Sequence, residues 1–571
     1  MHDTDKIIKQ ISKNNLVKAK ELCVKKLKKD NLSEEYNHLL AVIFYKQNRF
    51  VDARSQIEQV LQKQVKDPSI YNTAAQIFST DNIDKAIQYQ ELAVEASPSS
   101  AHLTNLANLH LVNGTFKEAV LHARQAVLLT NAIPQAVSVL AQSLLSLGRF
   151  SEVVEVVEKY SINSLHDLIV KIKAMVYLNR FELALRELNK VVTSGRLSDT
   201  QFQQVISLLE SLGEFDTRTK LLVSHESKSK YYATLFAIKN QANESTANNA
   251  EQYFQKTNSA EERVNLAFSI AKYYKNIDKE QWLNWLHISN KNKKSLITYD
   301  ESKTLAYFNK AIENLRNAEL PISTSTTDVP IFIFGMPRSG TTLVESIISA
   351  HNQCFPTGES YGLQQVLNAG YIKNYRDYSR LFECFSHLDD FTSSRLDEIA
   401  KQYLKWQRQY CKKAKRLIDK MPYNFIYAAL LPKIFPNAKF IYVSRNPIAN
   451  CLSIYEQNWG EMFGFSTDLK AISNYYKSYT HYMESTLLSE HSSDIYQLSY
   501  ESLIESPETE IRNILKYCNL DFDKNCLNFN EQKRTITTAS KEQVRNKIYS
   551  SSLKSWQGLE NELDDLIKAF V

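Results

Sequence analysis

Amphipathic helical stretches fill the first half of the chain, and their apolar positions recur at a nearly fixed spacing. An aromatic residue is followed three positions later by a small or β-branched residue in "NRFVDA", "NGTFKEA", "LGRFSEV" and "LNRFELA", and "DNIDKA" supplies a fifth small residue. These residues are Ala53, Ala86, Ala119, Val153 and Ala184, which are 33, 33, 34 and 31 positions apart. Such a period predicts repeated helical pairs in which small residues let the helices approach closely.

This period resembles that of the tetratricopeptide repeat. The resemblance implies an all-α solenoid over residues 1–220, with "LGEF" at Phe215 as a degenerate last unit and a concave groove along the stack. An irregular helical bundle is the alternative. Residues 221–320 form a predicted helical extension and linker, because "VNLAFSIAKYYKN" still has a helical pattern and "LPISTSTTDVP" has the composition of a linker.

Beyond the linker the apolar positions form short continuous runs, which are typical of buried strands in a parallel sheet. The runs occupy residues 331–334, 416–420, 439–444 and 494–499, and each is followed by a predicted helix. Residues 321–571 are therefore expected to form a P-loop-like α/β domain around a central parallel sheet. Ligands of such sheets bind at the carboxyl ends of the strands.

A glycine-containing loop follows the first of these strands, in "FIFGMPRSGTTLVESIISAH". Gly335 and Gly340 have the spacing of a nucleotide-triphosphate P-loop, but Thr341 stands where that loop carries its lysine. Asp419, at the end of a later strand, is followed at once by Lys420, which makes it a poor Mg²⁺ ligand. The pattern disfavours a kinase or ATPase and favours a single phosphate held at the start of a helix. A glycine turn before a core helix is the structural alternative.

Composition and charge narrow the class of protein further. The chain has 571 residues, of which 43% are hydrophobic and 23% charged, so it is globular and long enough for at least two domains. A net charge of +6, dispersed over 69 basic and 63 acidic residues, does not indicate a nucleic-acid surface. The seven cysteines show no C-x-x-C spacing and favour reduced thiols. No signal-peptide pattern or long apolar run is visible, so we expect a cytoplasmic protein without a membrane span.

Four motifs beyond the linker resemble those of sulfotransferases, which use 3′-phosphoadenosine 5′-phosphosulfate (PAPS) as donor. "PRSGTT" resembles the loop that binds the 5′-phosphosulfate, which implies this role for Pro337, Arg338, Ser339, Gly340, Thr341 and Thr342. "FIYVSRNPIANCLSIY" matches the 3′-phosphate-binding pair at Arg445 and Ser453. "LSYESLIESPE" and "TASKEQVRNKIYSSSLKSW" resemble segments that face the nucleotide, which implies contacts from Tyr500, Ser540, Arg545, Tyr549, Ser551 and Trp556. Each residue taken singly also fits a surface or core role.

The resemblance covers roughly residues 330–571 and is closest to the tyrosylprotein sulfotransferases and to bacterial sulfotransferases fused to tetratricopeptide repeats. It implies that Glu359 is the general base, that Lys420 is the catalytic lysine and that Arg338 acts together with Lys420 on the leaving oxygen. One departure is visible, because tyrosylprotein enzymes tend to show two acids where this chain has Glu359 and then Ser360. The structural alternative for Glu359 is a helix-capping or ion-paired surface acid.

These observations predict a PAPS-dependent sulfotransferase that needs no metal. The first candidate acceptor is a tyrosine in a protein or peptide, and a glycan hydroxyl is the second. A repeat-based interaction protein with a non-catalytic nucleotide-binding domain is the alternative of a different class. Every nucleotide motif lies after the linker, so the repeat groove is expected to recruit the acceptor rather than to bind the donor. Neither a nucleic-acid nor a membrane partner is expected.

Overall fold

The structure is a computed structural model, and it contains two compact units. It describes residues 3–30, 33–63, 65–129, 134–160, 164–194, 197–223, 243–371, 378–487 and 495–571. One unit lies within residues 1–163 and the other within residues 164–571. In the described residues the first unit is all helical, whereas the second combines helices with a β-sheet.

The first unit consists of consecutive helices that pack as pairs. The helices are α1 (Asp3–Ser12), α2 (Leu16–Leu27), α3 (Glu34–Lys46), α4 (Phe50–Leu61), α5 (Pro68–Phe78), α6 (Ile83–Ala96), α7 (Ser100–Asn113), α8 (Phe116–Leu129), α9 (Pro134–Ser146) and α10 (Phe150–Lys159). The predicted anchor residues of this unit are fully shielded from solvent: Ala53, Ala86, Ala119 and Val153. The small side chains therefore lie at the helix–helix contacts, and the predicted tetratricopeptide-like helical fold is confirmed.

A turn residue with left-handed backbone geometry explains the repeated "N-R-F" and "G-x-F" sequences. It stands two positions before the aromatic that begins the second helix of a pair, at Asn48 (φ 58°), Gly114 (φ 80°) and Gly148 (φ 76°). Glycine and asparagine adopt this geometry at lower cost than other residues. The aromatic itself is the first residue of α4, α8 and α10. The sequence signal for the repeat is thus the turn together with the start of the second helix.

The second unit begins with two more helical pairs and a helical extension. The pairs are α11 (Leu165–Tyr177) with α12 (Phe181–Thr193), and α13 (Asp199–Leu212) with α14 (Phe215–Val223). The extension comprises α15 (Glu244–Lys256), α16 (Ala260–Tyr274), α17 (Lys279–Lys294) and α18 (Glu301–Asn317). The helices predicted at "LGEF" and at "VNLAFSIAKYYKN" are therefore confirmed as α14 and α16. Residues 318–329 form neither helix nor strand, as the linker composition predicts.

A five-stranded parallel sheet carries the rest of the second unit. Its strands are β1 (Pro330–Gly335), β2 (Cys354–Gly358), β3 (Arg416–Lys420), β4 (Lys439–Ser444) and β5 (Ile495–Ser499), in the order β2-β3-β1-β4-β5. The four predicted strands are confirmed, except that residue 494 lies outside the described residues. The edge strand β2 was not predicted from the sequence. It contains Pro356 and Gly358, which weaken a strand pattern, and its pairing with β3 is irregular between them.

Helices cover both faces of the sheet, which explains the uninterrupted apolar runs in its strands. Ile331 and Ile333 of β1 contribute to a cluster on one face, whereas Phe332 and Phe334 contribute to the aromatic-rich core on the other. The helices are α19 (Thr341–Ser349), α20 (Gly362–Leu367), α21 (Ser393–Gln407), α22 (Leu431–Ile434), α23 (Pro447–Tyr455), α24 (Leu469–Leu487), α25 (Tyr500–Glu505), α26 (Pro507–Tyr517) and α27 (Asp564–Lys568). Across the described parts of the chain, no helix is both long and apolar enough to cross a bilayer.

Candidate functional site

Close approach of neighbouring groups explains the glycines of the loop between β1 and α19. Gly335 and Gly340 have φ values of 153° and 108°. A Cβ atom on Gly335 would lie 2.3 Å from the carbonyl oxygen of Val443, and one on Gly340 would lie 2.4 Å from the Tyr500 ring. Arg338 has a left-handed φ of 69°, which costs energy for a residue with a Cβ atom. The loop is therefore held in one particular shape by its neighbours, as expected for a binding loop.

An open pocket, here called the loop cavity, lies against this loop and the start of α19, and its empty space is about 570 Å³ when the part open to solvent is counted. Eight of the predicted donor-binding residues line it: Arg338, Gly340, Thr341, Thr342, Arg445, Tyr500, Ser540 and Tyr549. Thr341 and Thr342 form the first turn of α19, where backbone N–H groups and the helix dipole favour an anion. The structure thus brings together residues that are separated by more than 200 positions in the sequence.

Arg338 contributes a positive charge to the loop cavity, and its hydrogen-bond partners there are neutral. Its Nε donates to Ser453 Oγ at 3.1 Å, one terminal nitrogen donates to Ser540 Oγ, and the other donates to Gln543 Oε1 at 2.9 Å. Burial lowers the pKa of the Arg338 guanidinium, so a bound anion would stabilise its charged form. The arrangement therefore suits a negatively charged ligand.

Arg445, at the end of β4, adds a second cation beside the same loop. Its guanidinium donates to the backbone oxygen of Arg338 at 2.9 Å and lies 4.8 Å from the centroid of the Tyr500 ring. A cation over an aromatic face is attracted by the ring's electrons. Tyr500 therefore has two roles, since it orients Arg445 and also occupies the space that a side chain at position 340 would need.

A second open pocket, here called the aromatic cavity, shares a wall with the loop cavity, and its empty space is about 730 Å³ when the part open to solvent is counted. The shared residues are Arg338, Thr341, Thr342 and Ser540. Its remaining lining is rich in aromatic and sulfur-containing side chains, namely Tyr361, Met421, Tyr423, Trp459, Met462 and Phe463. The rings of Trp459 and Phe463 stack with their centroids 4.3 Å apart. The two cavities therefore meet at Arg338 and the first turn of α19.

Glu359 faces the aromatic cavity, and Lys420 lies behind it. Lys420 Nζ donates to Glu359 Oε1 at 2.6 Å. The Lys420 side chain is fully buried and lines neither cavity, whereas the Glu359 side chain is 38% exposed. A buried ammonium needs a paired anion, and this need keeps Glu359 next to Lys420. The predicted base is thus accessible to a ligand, while the predicted catalytic lysine reaches the cavity only through it.

A third charged group, Glu345 of α19, lies near Lys420 in the interior. Its Oε2 is 4.0 Å from Lys420 Nζ, and its side chain is buried. Burial raises the pKa of Glu345, while the charges of Lys420 and Arg534 oppose this rise. Lys420 therefore has one partner at the cavity wall and a second one in the interior.

Asp419, the acid before Lys420, belongs to a separate polar cluster in the interior. The Tyr403 hydroxyl donates to its Oδ2 at 2.5 Å, and Asn424 Nδ2 donates to its Oδ1 at 3.1 Å. Burial raises the pKa of Asp419 to about 7. Asp419 lines neither the loop cavity nor the aromatic cavity.

The other predicted binding residues lie at varying distances from the loop cavity. Pro337 lines the aromatic cavity, Ser339 is buried within the loop, and Ser453 contacts the loop through Arg338. Arg545 and Trp556 are not brought to either cavity. Arg545 donates to the Ser211 and Arg534 carbonyl oxygens, and Trp556 packs against the aromatic-rich core. The side chain of Ser551 lies outside the described residues.

Sequence reasoning missed several residues that line the loop cavity, including Gln543, Asn546 and Lys547. They lie within "TASKEQVRNKIYSSSLKSW", so the predicted segment does line this cavity, but these positions within it were not named. Glu345 was missed as well, although an acid inside the apolar helix sequence "TTLVESIIS" is itself a signal, because buried acids are rare unless paired. The aromatic wall comes from several separated segments and has no local pattern.

Comparison with known proteins gives a consistent assignment. Residues 330–524 match the model of the sulfotransferase family. An uncharacterized protein of Aquifex aeolicus (strain VF5) is 34% identical over 247 residues, which cover 42% of this chain and 32% of that protein. A putative protein-tyrosine sulfotransferase of Caenorhabditis briggsae is 27% identical over 40% of this chain and 80% of its own length. The protein-tyrosine sulfotransferase of Drosophila melanogaster is 28% identical over 38% of this chain.

The matched region of this chain spans about a third of the Aquifex protein and 41% of the Drosophila protein. The family-model match at residues 330–524 contains the five described strands and the loop, whereas Ser540, Gln543 and Tyr549 of the loop cavity lie after it. Residues 330–524 of the chain therefore match the sulfotransferase family model, protein-tyrosine sulfotransferases are among the proteins that the chain resembles, and tetratricopeptide-like helices precede the matched region.

Proposed function

We propose that this protein is a PAPS-dependent sulfotransferase that transfers a sulfuryl group to a tyrosine hydroxyl in a protein or peptide. The observation that carries the proposal is the meeting of two cavities at Arg338 and the first turn of α19. A two-substrate transfer needs a donor site and an acceptor site that share the point of reaction. The loop cavity supplies the donor site, and the aromatic cavity supplies the acceptor site.

The residues of the loop cavity fit the anionic groups of the donor. Residues 337–342 would hold the 5′-phosphosulfate through backbone N–H groups, the helix dipole and the Arg338 charge. Arg445 and Ser453 would hold the 3′-phosphate, and Arg445 is already oriented by Tyr500. A triphosphate fits less well, because Thr341 replaces the lysine that would grip its outer phosphates.

Three charged residues fit the chemistry of the transfer, namely Glu359, Lys420 and Arg338. The acceptor oxygen forms a bond to sulfur while the bond between sulfur and the donor's phosphate oxygen breaks, and Glu359 takes the acceptor's proton. Arg338 faces both cavities and stabilises the negative charge on the leaving oxygen. Protonation of Glu359 weakens its ion pair with Lys420, so that more of the ammonium's field acts on the same leaving group.

The lining of the aromatic cavity favours a phenol as acceptor. Tyr423 and Trp459 flank Phe463, with ring centroids 5.5 Å and 4.3 Å from its own, and form an apolar wall that suits an aromatic ring. A phenol of pKa about 10 is protonated at neutral pH and benefits from a base. A glycan hydroxyl remains the second candidate acceptor, because aromatic side chains also pack against sugar rings.

A transfer assay with radiolabelled PAPS tests the proposal. Tyrosine-containing peptides and oligosaccharides are offered as acceptors in parallel, with Arg338→Ala as the matched inactive control. We expect label on tyrosine, abolished in the control. Label on sugars alone would replace the tyrosine assignment. Donor binding without transfer to any acceptor would favour an interaction protein with a non-catalytic nucleotide-binding domain.

A second experiment tests the donor. Calorimetry with adenosine 3′,5′-bisphosphate, the desulfated donor, is carried out with a metal chelator present. We expect undiminished binding, because arginine side chains at the loop would neutralise the phosphates without the metal ion that a triphosphate site uses. Loss of binding on adding chelator would instead support a metal-dependent nucleotide site.

The repeats and the cellular compartment are part of the same proposal. We propose that the repeat groove recruits the acceptor protein, since stacked repeats form extended binding surfaces. A reducing, cytoplasmic environment is proposed from the seven cysteines, all of which are free thiols. Burial raises the pKa of six of them, to about 12 at Cys23, Cys518 and Cys526, which makes these thiols poorly reactive.

A further inference from the structure

The segment at residues 534–549, here called the donor-site segment, contacts helices of the last two repeat pairs. Its residues Ser540 and Gln543 bond Arg338, and Tyr549 lines the loop cavity. Its other side faces α11, α13 and α14, all of which belong to the same compact unit. The segment is therefore in a position to connect the repeats with the donor site.

Hydrogen bonds fix the start of the donor-site segment to the repeat helices. The Thr535 backbone N–H donates to Asn179 Oδ1 at 2.9 Å, and its hydroxyl donates to the Val176 carbonyl oxygen at 2.8 Å. The next residue, Ile536, donates its N–H to the Ser211 carbonyl oxygen at 2.9 Å. Val176 and Ser211 lie in the last turns of α11 and α13. The Val176 carbonyl oxygen also accepts from the Asn179 backbone N–H at 3.0 Å, whereas the Ser211 carbonyl oxygen, at a helix end where carbonyl oxygens lack partners within the helix, accepts from the segment.

Ion pairs fix the middle of the donor-site segment. Arg218 of α14 is only 3% exposed and bonds Glu210 at 3.1 Å and Glu542 at 2.9 Å. Lys541 Nζ lies 2.6 Å from the second oxygen of Glu210. A buried cation that lost one of these partners would be strongly disfavoured. Two acids and two bases therefore form one network across the contact between the repeats and the segment.

Arg545 anchors the end of the donor-site segment at the same place. Its guanidinium donates to the Ser211 carbonyl oxygen at 2.9 Å and to the Arg534 carbonyl oxygen at 3.1 Å. A Cβ atom on Gly213 would lie 2.8 Å from this guanidinium, so the glycine after α13 makes room for it. These contacts explain why Arg545 is absent from the loop cavity.

We propose that α11–α14 position the donor-site segment and thereby set the affinity for the sulfuryl donor. The proposal rests on the proposed function for the identity of the donor. It assigns Arg218, Thr535 and Glu542 as positioning residues, none of which lines the loop cavity. The last two repeat pairs then belong functionally to the donor site, in contrast to the expectation that the repeats serve the acceptor alone.

The test uses two mild substitutions in the full-length protein, Glu542→Gln and Thr535→Val. The first removes one charge from the Arg218 network, and the second removes the hydroxyl that lies 2.8 Å from both the Val176 carbonyl oxygen and Asn179 Oδ1. Arg186→Gln is the matched control, because Arg186 is a repeat-helix arginine that is 66% exposed and pairs only weakly with its neighbour Glu187. Hydrogen exchange of residues 534–546 and the Kd for adenosine 3′,5′-bisphosphate are measured for each protein.

We expect both variants to exchange faster than the wild type across residues 534–546 and to bind the bisphosphate about five- to tenfold more weakly, with the control unchanged. A lower melting temperature with unchanged Kd in the folded protein would overturn the proposal, because the repeats would then only stabilise the fold. Unchanged exchange would overturn it too. If the wild type binds no bisphosphate, the proposed function fails, and the exchange result alone decides whether the repeats hold the segment.

Discussion

Replacement of Glu359 by glutamine is the most direct test of the acceptor chemistry. In the wild-type protein Lys420 Nζ lies 2.6 Å from Glu359 Oε1. Glutamine keeps an oxygen that can accept this hydrogen bond, so the geometry of the aromatic-cavity wall is retained. It loses the negative charge and the ability to take a proton. The perturbation therefore separates the base function from the packing of the side chain.

The magnitude follows from the two roles of the carboxylate. A general base typically contributes 100- to 10,000-fold, so kcat should fall by about 100-fold or more, equivalent to about 2.7 kcal/mol of activation free energy. Lys420 loses a charged partner but keeps Glu345 at 4.0 Å. Since Glu359 is 38% exposed, the loss of folding free energy should be only about 1–2 kcal/mol. Donor affinity should hardly change, because Glu359 does not line the loop cavity.

The assay measures kcat with saturating radiolabelled PAPS, the Kd for adenosine 3′,5′-bisphosphate, and the melting temperature. Glu345→Gln is the matched control, because it makes the same chemical change beside the same lysine but away from the aromatic cavity. We expect its kcat to fall much less than that of Glu359→Gln. Normal turnover of Glu359→Gln, or equal losses in the two variants, would refute the assignment of Glu359 as the base.

Three further predictions address the donor site and the core. Arg445→Ala should weaken PAPS by roughly 1.5–3 kcal/mol but barely alter adenosine 5′-phosphosulfate, which lacks the 3′-phosphate, whereas Arg338→Ala should weaken both; equal losses in a folded Arg445→Ala protein would contradict the 3′-phosphate assignment. Gly340→Ala should cost roughly 1–3 kcal/mol of donor binding, because its Cβ atom meets Tyr500 at 2.4 Å, and calorimetry showing wild-type affinity would argue against a rigid loop. Burial raises the pKa of Asp419 to about 7 from 3.8, so its protonated form stabilises the fold fully below about pH 4 and this contribution is lost as the pH rises through about 7. Asp419→Asn should flatten the pH dependence of the unfolding free energy over that range, as measured by urea titrations. An unchanged pH dependence in this variant would show that other groups cause it.

The sequence predicted those features that are encoded locally. The helical repeats were visible because each pair repeats the same turn and the same buried small residue, as at Gly148 and Val153. Four strands were visible because each carries a short apolar run between helices, and β1 and β3 are buried at every position. The edge strand β2 escaped prediction because a half-exposed strand with Pro356 carries neither an apolar run nor a clear alternation.

The candidate site was predictable where the residues lie on the loop or at strand ends, and less so elsewhere. The resemblance to sulfotransferase motifs singled out Arg338 and Arg445, both of which line the loop cavity. The sequence position of Lys420 did not reveal its ion-pair partners, because its contacts with Glu359 and Glu345 depend on the tertiary fold. The resemblance placed Arg545 at the nucleotide, whereas its contacts in this chain are with the end of α13.

The contact between the repeats and the donor-site segment could not be predicted from the sequence either, because it too depends on the tertiary fold. The predicted boundary between residues 220 and 221 follows the point at which the repeat period fades, and a period reports only contacts between neighbouring repeats. Arg218 and Glu542, however, are 324 positions apart and belong to one compact unit that begins at residue 164. No sequence pattern connects them, because a buried ion pair requires only one residue of each charge at the meeting point. A chain can therefore keep two clear sequence modules while its donor site depends on both of them.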